Sequence, residues 1–347
     1  MSRDECWFRP VRGDMRRPVV FISKIVRPQV LERLQQVADV RPWLGPGRCP
    51  ADALRDHVRE VDAVLGTDHW TAELMDQASR LRLIALTSVG VDKVDVHAAT
   101  ERGILVTNTP DVLTETTADL TFALLLGAAR RITELERWLR AGHWRIVGET
   151  PMGHDVHHRT IGVIGLGRIG VAVARRALGF GMRVLYFNKT RRMELEAQYP
   201  YVHVELTRLL RESDFIVLCV PLSPDTRAML GREELKLVKP TAIIVNATRG
   251  AVIDESALIE ALQQGRIAAA GLDVFEKEPV PLTNPLLAMD NVVTLPHVGS
   301  ATEATRQAMV DLAVENILAV LNGGRALTPV NDVSPMADHA TPRPTKH

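Results

Sequence analysis

The stretch Thr160-Ile161-Gly162-Val163-Ile164-Gly165-Leu166-Gly167-Arg168-Ile169-Gly170 decides the fold. An apolar run of strand character enters a G-x-G-x-x-G turn at Gly165, Gly167 and Gly170, and a helical pattern over 171–178 leaves it. The first glycine permits a tight turn, the second lets backbone come close to a pyrophosphate, and the third lets the helix pack on the strand. The free N–H groups of the helix start then point at the phosphates. Glycine turns of this spacing also occur by themselves. Here a second apolar strand over 183–187 completes a βαβ unit, so Gly165, Leu166, Gly167, Arg168, Ile169 and Gly170 are expected to face a dinucleotide.

Strands recur downstream at 214–220, 241–246, 268–273 and 292–295, with helical stretches near 205–212 and 254–264. Counting 161–165, six strands make a full doubly wound sheet. Upstream, strands at 18–23, 61–65, 82–86 and 104–107 alternate with helical patterns at 28–38, 71–78 and 93–101, which argues for a second parallel sheet covered by helices. Between the two series the spacing predicts one long helix over 115–141, with Thr116 and Asp119 as a capping box. A last helix over 302–322 opens with Ser300-x-x-Glu303, a second capping-box pattern, and ends at Gly323-Gly324. Returned to the first series, it would make the chain cross between domains twice. The expected division is an extension over 1–17, a substrate domain of 18–110 and 300–333, a dinucleotide-binding domain of 111–299, and a polar, Pro-rich tail over 334–347.

The 347 residues are 46% apolar and 24% charged, which suits two ordinary globular cores. Lys plus Arg equals Asp plus Glu at 42 each, so no global field favours nucleic acid or an anionic membrane. The apolar run 120–129 is too short to span a bilayer, and the expected setting is the cytoplasm. Cys6, Cys49 and Cys219 are far apart and odd in number, and read as free thiols. His154-Asp155-Val156-His157-His158 holds metal-ligand types but no second cluster to complete a site, and no metal is expected.

Three polar side chains follow strands of the second series: Arg249, Glu278 and His297. Ligands of open α/β sheets bind outside the carboxyl ends of the strands, so all three should face the dinucleotide's crevice. A guanidinium can hold a carboxylate through two parallel hydrogen bonds. A histidine can give a ketone oxygen the proton it needs as hydride reaches carbon, and a neighbouring glutamate can orient it. Singly, each side chain has a duller reading as a surface ion pair, a loop charge or a satisfied histidine.

The turn after the second strand speaks to cofactor choice. An NAD site usually has Asp or Glu there, to bind the ribose hydroxyls. This chain has Asn188, followed by Lys189, Thr190, Arg191 and Arg192, donors and cations suited to a 2′-phosphate. NADP is therefore expected, with NAD possible.

The segments 161–170, 246–254, 270–279 and 295–300 resemble, in order, the signatures of the D-isomer-specific 2-hydroxyacid dehydrogenases, over roughly residues 18–330. Thr87-Ser88-Val89-Gly90-Val91-Asp92 and the run 107–119 are similar to the glyoxylate and hydroxypyruvate reductase branch. The resemblance implies an α/β fold of two Rossmann-like domains, the substrate domain flavodoxin-like, with a cleft between them. It implies that Arg249 anchors the substrate carboxylate, that His297 is the acid/base with Glu278 as its partner, that the amides of Val89 and Gly90 close on the carboxylate, and that Ser300 lines the pocket. Asp273 would hold the nicotinamide carboxamide, with Thr117 and the backbone of Ala247 and Thr248 nearby; Val220 and Pro221 would border the adenosine, Thr226 would sit on the loop that follows, and Gly299 would be a further cofactor contact. A homodimer through helix 115–141 and its following loop is implied, as is NADPH-dependent reduction of glyoxylate or hydroxypyruvate to glycolate or D-glycerate. The alternatives within the resemblance are another substrate (phosphite, D-lactate, 3-phosphoglycerate or a bulkier 2-oxo acid) and a dinucleotide-sensing protein like the C-terminal-binding-protein corepressors.

Overall fold

A computed structural model describes residues 16–333; the expectations for 1–15 and for the tail over 334–347 lie outside them. Two compact units divide at 112/113 and at 302/303.

In the first unit, β1 (Val19–Ile22), β2 (Asp39–Pro42), β3 (Ala63–Gly66), β4 (Leu83–Leu86) and β5 (Leu105–Thr107) form one sheet in the order β2-β1-β3-β4-β5. All pairings are parallel. That order is the flavodoxin-like one. β1, β3, β4 and β5 are buried along their whole length, as strands covered on both faces must be. The helix Glu303–Leu321 covers one face, setting Val310, Ala313, Val314, Ile317 and Val320 against Val20, Leu65, Leu83 and Leu105. Each fully buried aliphatic side chain contributes about 1.5–3 kcal/mol. β2 was not anticipated: Asp-Val-Arg-Pro is an edge strand with half its side chains exposed, so it carries no apolar run. Arg16 and Arg17, expected in the extension, are tied to this unit, Arg16 lying 3.5 Å from Asp62 and Arg17 donating to the Gln35 carbonyl at 2.5 Å.

The second unit contains β6 (Thr160–Ile164), β7 (Arg183–Phe187), β8 (Tyr201–His203), β9 (Phe215–Leu218), β10 (Ile243–Asn246), β11 (Ala269–Leu272) and β12 (Val292–Thr294). Their order is β12-β11-β10-β9-β6-β7-β8, all parallel, a doubly wound sheet that reverses between β6 and β9. It has seven strands where six were expected, because β8 is a short, half-exposed edge strand without a sequence signal.

The single helix expected over 115–141 is two. Thr114–Ala129 lies against the sheet, burying Ala118, Phe122, Leu124 and Leu125, whereas Ile132–Arg140 buries no residue. Between them Arg131 takes a left-handed φ of 54°, which ends the first helix and redirects the chain. Helical periodicity runs through the break because both segments are good helix formers. The capping boxes also fail. Thr114–Ala129 is preceded by Leu113, so Thr116 and Asp119 lie inside the helix, where Asp119 accepts from Arg176. Ser300 lies outside the helix that starts at Glu303.

Candidate active site

The glycine turn joins β6 to the helix Arg168–Gly179. Gly165 has φ 97°, and a Cβ there would meet Val220 Cγ1 at 2.7 Å and the Cys219 carbonyl carbon at 2.8 Å. At Gly170 a Cβ would meet the Gly165 carbonyl oxygen at 2.1 Å, so strand and helix are in backbone contact. Gly167, which precedes the helix, is the opposite: a Cβ would find nothing within 4 Å. An open glycine between two crowded ones, at a helix N-terminus, fits a pyrophosphate approaching bare backbone.

The basic turn is tightly organised. The Leu166 N–H donates to Asn188 Oδ1 at 2.6 Å, so the side chain that replaces the usual acid fastens the glycine turn itself. Arg192 donates to the Leu166 carbonyl at 3.2 Å from the same side. Lys189 lies 2.5 Å from Asp225, Arg192 pairs with Glu194 at 2.5 Å, and Arg191 grips Glu196 through Nε and Nη2. Past β9, Thr226 donates to the Pro221 carbonyl at 2.6 Å and accepts from the Ser223 N–H at 2.8 Å, closing the loop that begins at Val220 and Pro221.

At the carboxyl ends of β10, β11 and β12 two buried polar side chains act as brackets. Asn246, 1% exposed, donates to the Arg249 carbonyl at 2.9 Å and accepts from both the Thr248 N–H and hydroxyl, so one side chain shapes the turn Asn246-Ala247-Thr248-Arg249. Gly250 then lets this turn lie on the next one, since a Cβ would sit 1.9 Å from the Phe275 carbonyl carbon. Asp273, fully buried, accepts the N–H groups of Val298 and Gly299, one on each oxygen at 2.8 Å, and its carbonyl accepts the His297 N–H. Burial pushes the Asp273 carboxyl up against the pull of those two N–H groups. A Cβ on Gly299 would lie 3.3 Å from Asp273 Oδ2 and 3.5 Å from Thr117 Cγ2, which brings Thr117 into the same corner.

His297 is therefore held in a left-handed conformation, φ 55°, that is costly for a residue with a side chain. Its Nδ1 meets Glu278 Oε2 at 2.7 Å, and Glu278 Oε1 accepts the Phe275 N–H at 3.2 Å. Burial pushes the Glu278 carboxyl up, but the imidazole hydrogen bond and the charges of His297 and Arg249 leave it below the usual range. An ionised carboxylate only accepts, so Nδ1 carries the proton in this bond and Nε2 is left for a ligand. Both side chains are part-exposed, at 45% and 35%. Arg249, Glu278 and His297 are thus gathered at one end of one sheet.

In the first unit, Val89 and Gly90 follow β4. The Val89 carbonyl accepts from Asn108 and the Gly90 carbonyl from Ser88 Oγ, at 2.8 and 2.9 Å, which fixes this part-exposed loop. Among the described residues no cluster of His, Cys, Asp and Glu could hold a metal ion, and no helix is long and apolar enough to cross a membrane. The role of Asn246 escaped the sequence reading. An Asn ending an apolar strand three residues before an Arg is the only signal it left.

A doubly wound sheet with an open glycine turn and an Arg–Glu–His group at its carboxyl edge defines a nicotinamide-dependent oxidoreductase. Residues 122–299 match the NAD-binding domain of the D-isomer specific 2-hydroxyacid dehydrogenases. The chain is 45% identical to a glyoxylate reductase of Korarchaeum cryptofilum over 88% of its own length and 94% of the relative's. For a glyoxylate reductase of Thermococcus gammatolerans the identity is 47%, over 91% and 96%. Among solved structures, an NADPH-dependent glyoxylate/hydroxypyruvate reductase from Sinorhizobium meliloti, in complex with NADP and malonate, is similar with a TM-score of 0.81 at 38% identity, covering 94% of this chain and all of that one. The chain belongs to the D-isomer-specific 2-hydroxyacid dehydrogenase family, as an NAD(P)-dependent dehydrogenase.

Proposed function

We propose that this protein uses NADPH to reduce a small 2-oxo acid, glyoxylate or hydroxypyruvate, to glycolate or D-glycerate. The observation that carries the reading is the His297–Glu278 pair at 2.7 Å beside Arg249, on the carboxyl edge of the dinucleotide sheet. Arg249 holds the substrate carboxylate and polarises the adjacent carbonyl, with Ser300 as a further substrate ligand. When bound, the nicotinamide would supply the hydride that C2 receives. His297 delivers its Nε2 proton to the carbonyl oxygen, is left neutral, and regains a proton from solvent. Ionised Glu278 stabilises the charged ring and keeps Nε2 aimed outward. Asp273, with lone pairs beyond the two it uses, would hold the carboxamide, with Thr117, Ala247, Thr248 and Gly299 around it; Val220 and Pro221 would border the adenosine, with Thr226 on the loop that follows.

The preference for NADPH is supported by Asn188 at the position of the usual acid and by Lys189, Thr190, Arg191 and Arg192 after it. The ion pairs of this turn are no obstacle. Exposed pairs are worth about 0–1 kcal/mol, so a phosphate can displace the carboxylates on Lys189 and Arg192. A homodimer is supported by the helix Ile132–Arg140, which buries nothing, and by the exposed Ile132, Leu139, Trp144, Ile146, Val147 and Met152 around and after it. Free thiols at Cys49 and Cys219 suit a cytoplasmic enzyme.

The test is a panel of 2-oxo acids followed at the nicotinamide absorbance with each cofactor. The expected result is the highest kcat/KM for glyoxylate or hydroxypyruvate with NADPH. A bulkier acid in first place overturns the substrate, and equal or lower efficiency with NADPH than with NADH overturns the cofactor.

A further inference from the structure

The turn after β7 contains one acidic side chain placed unlike its neighbours. Glu194 and Asp225, the partners of Arg192 and Lys189, are exposed, with 57% and 68% of their side chains open to solvent. Glu196 is only 17% exposed and sits between two partners. From beneath, the hydroxyl of Tyr186, on β7 and with its side chain fully buried, donates to Glu196 Oε1 at 2.6 Å. From above, Arg191 donates Nε to both carboxylate oxygens at 3.0 Å and Nη2 to Oε2 at 2.6 Å. The same Tyr186 oxygen accepts the Arg192 N–H at 2.9 Å, which pins the backbone that carries Arg191.

We infer that Glu196 is a positioning residue for cofactor selection: with Tyr186 it holds the Arg191 guanidinium so that its outer edge is presented to the 2′-phosphate of NADPH. The inference rests on the NADPH reading above. The side-on grip uses Nε and one hydrogen of Nη2 and leaves Nη1 and the second Nη2 hydrogen, a pair of parallel donors of the kind that meets phosphate. A free arginine side chain loses much rotamer freedom on binding a ligand. Arg191 has already lost it in folding, so the phosphate meets an ordered donor pair. Glu196 also brings a negative charge to the turn. That charge is neutralised by Arg191 itself, and what remains acts through solvent, where screening sets in over about 8 Å at physiological salt. Arg191 and Tyr186 hold the Glu196 carboxyl down to about 2, so the arrangement persists across the working pH range.

The experiment measures kcat and KM for NADPH and NADH in wild type and in Glu196→Gln, Tyr186→Phe and Arg191→Lys, with the melting temperature of each. Glu196→Gln is expected to lower the NADPH/NADH selectivity ratio about tenfold, through the KM for NADPH rather than kcat. Arg191→Lys, which keeps the charge but not the two-point grip, is expected to fall as far. Tyr186→Phe keeps the ion pair and is expected to lose less, in the same direction. A Glu196→Gln ratio that is unchanged or raised, in a wild type that prefers NADPH, overturns the inference and marks Glu196 as inert or as a competitor for Arg191. A wild type with no preference removes instead the reading beneath it. Should Glu196→Gln fail to fold, an undiminished ratio in Arg191→Lys overturns the inference equally.

Discussion

The two ends of the second unit are built from opposite materials. Around Arg249, Glu278 and His297 the frame is made of buried polar side chains bonded to backbone: Asn246 across its own turn, and Asp273 to three successive residues, through its carboxylate to Val298 and Gly299 and through its carbonyl to His297. Around Asn188 the frame is largely ion pairs: Lys189 and Arg192 pair with exposed carboxylates, and Arg191 with the mostly buried Glu196. Hydrogen bonds shielded from water are strong and fix geometry to fractions of an ångström, whereas exposed ion pairs exchange partners at little cost. A proton transfer needs the first kind of support. At the cofactor turn the second kind holds Lys189 and Arg192, while Tyr186 and Glu196 bring the first kind to Arg191.

This contrast can be broken at its strong end first. His297→Ala is expected to cut turnover 10²- to 10⁴-fold with the dissociation constant for the cofactor little changed, as measured by steady-state kinetics and cofactor fluorescence. Unchanged turnover would remove His297 from the chemistry.

Asp273→Asn tests the bracket itself. The amide has one oxygen where two N–H groups need acceptors, and its own NH₂ must face one of them. An unsatisfied buried donor costs about 1–3 kcal/mol, seen as a fall of several degrees in melting temperature. Turnover should fall with it, since His297 loses its fixed conformation. A variant as stable and active as wild type would show the bracket to be dispensable.

The smallest effect expected is that of Glu278. Its folded-state carboxyl titrates below the unfolded one, so its contribution to stability is present above the ordinary carboxylate pKa and is lost as pH falls through the depressed value. Glu278→Gln should flatten the acid limb of melting temperature against pH, below the ordinary carboxylate value of about 4.3, relative to wild type. A limb of unchanged slope would mean that the pair carries no linkage.

How much of this was legible beforehand follows the same contrast. The apolar strands β6, β7, β9, β10, β11 and β12 announced themselves because strands covered on both faces need continuous apolar runs. The edge strands β2 and β8 did not, since an edge strand is defined by the neighbour it pairs with and not by its own side chains. The break at Arg131 was invisible for a similar reason: 114–129 and 132–140 are each good helix, and only the packing of the first against a sheet fixes where the chain must turn. Arg249, Glu278 and His297 were legible because each follows an apolar strand.

By itself the sequence determined the glycine turn, the two parallel sheets and the three chemical side chains, all of which are written in local spacing and side-chain type. The tertiary structure decided what holds them. That Asn188 fastens the glycine turn, that Asn246 and Asp273 bracket Arg249 and His297, and that Tyr186 and Glu196 order Arg191 are pairings across 3 to 26 positions of chain. Hydrogen bonds of this kind depend on where two loops meet in space, and the pattern of a single strand or helix carries no record of that.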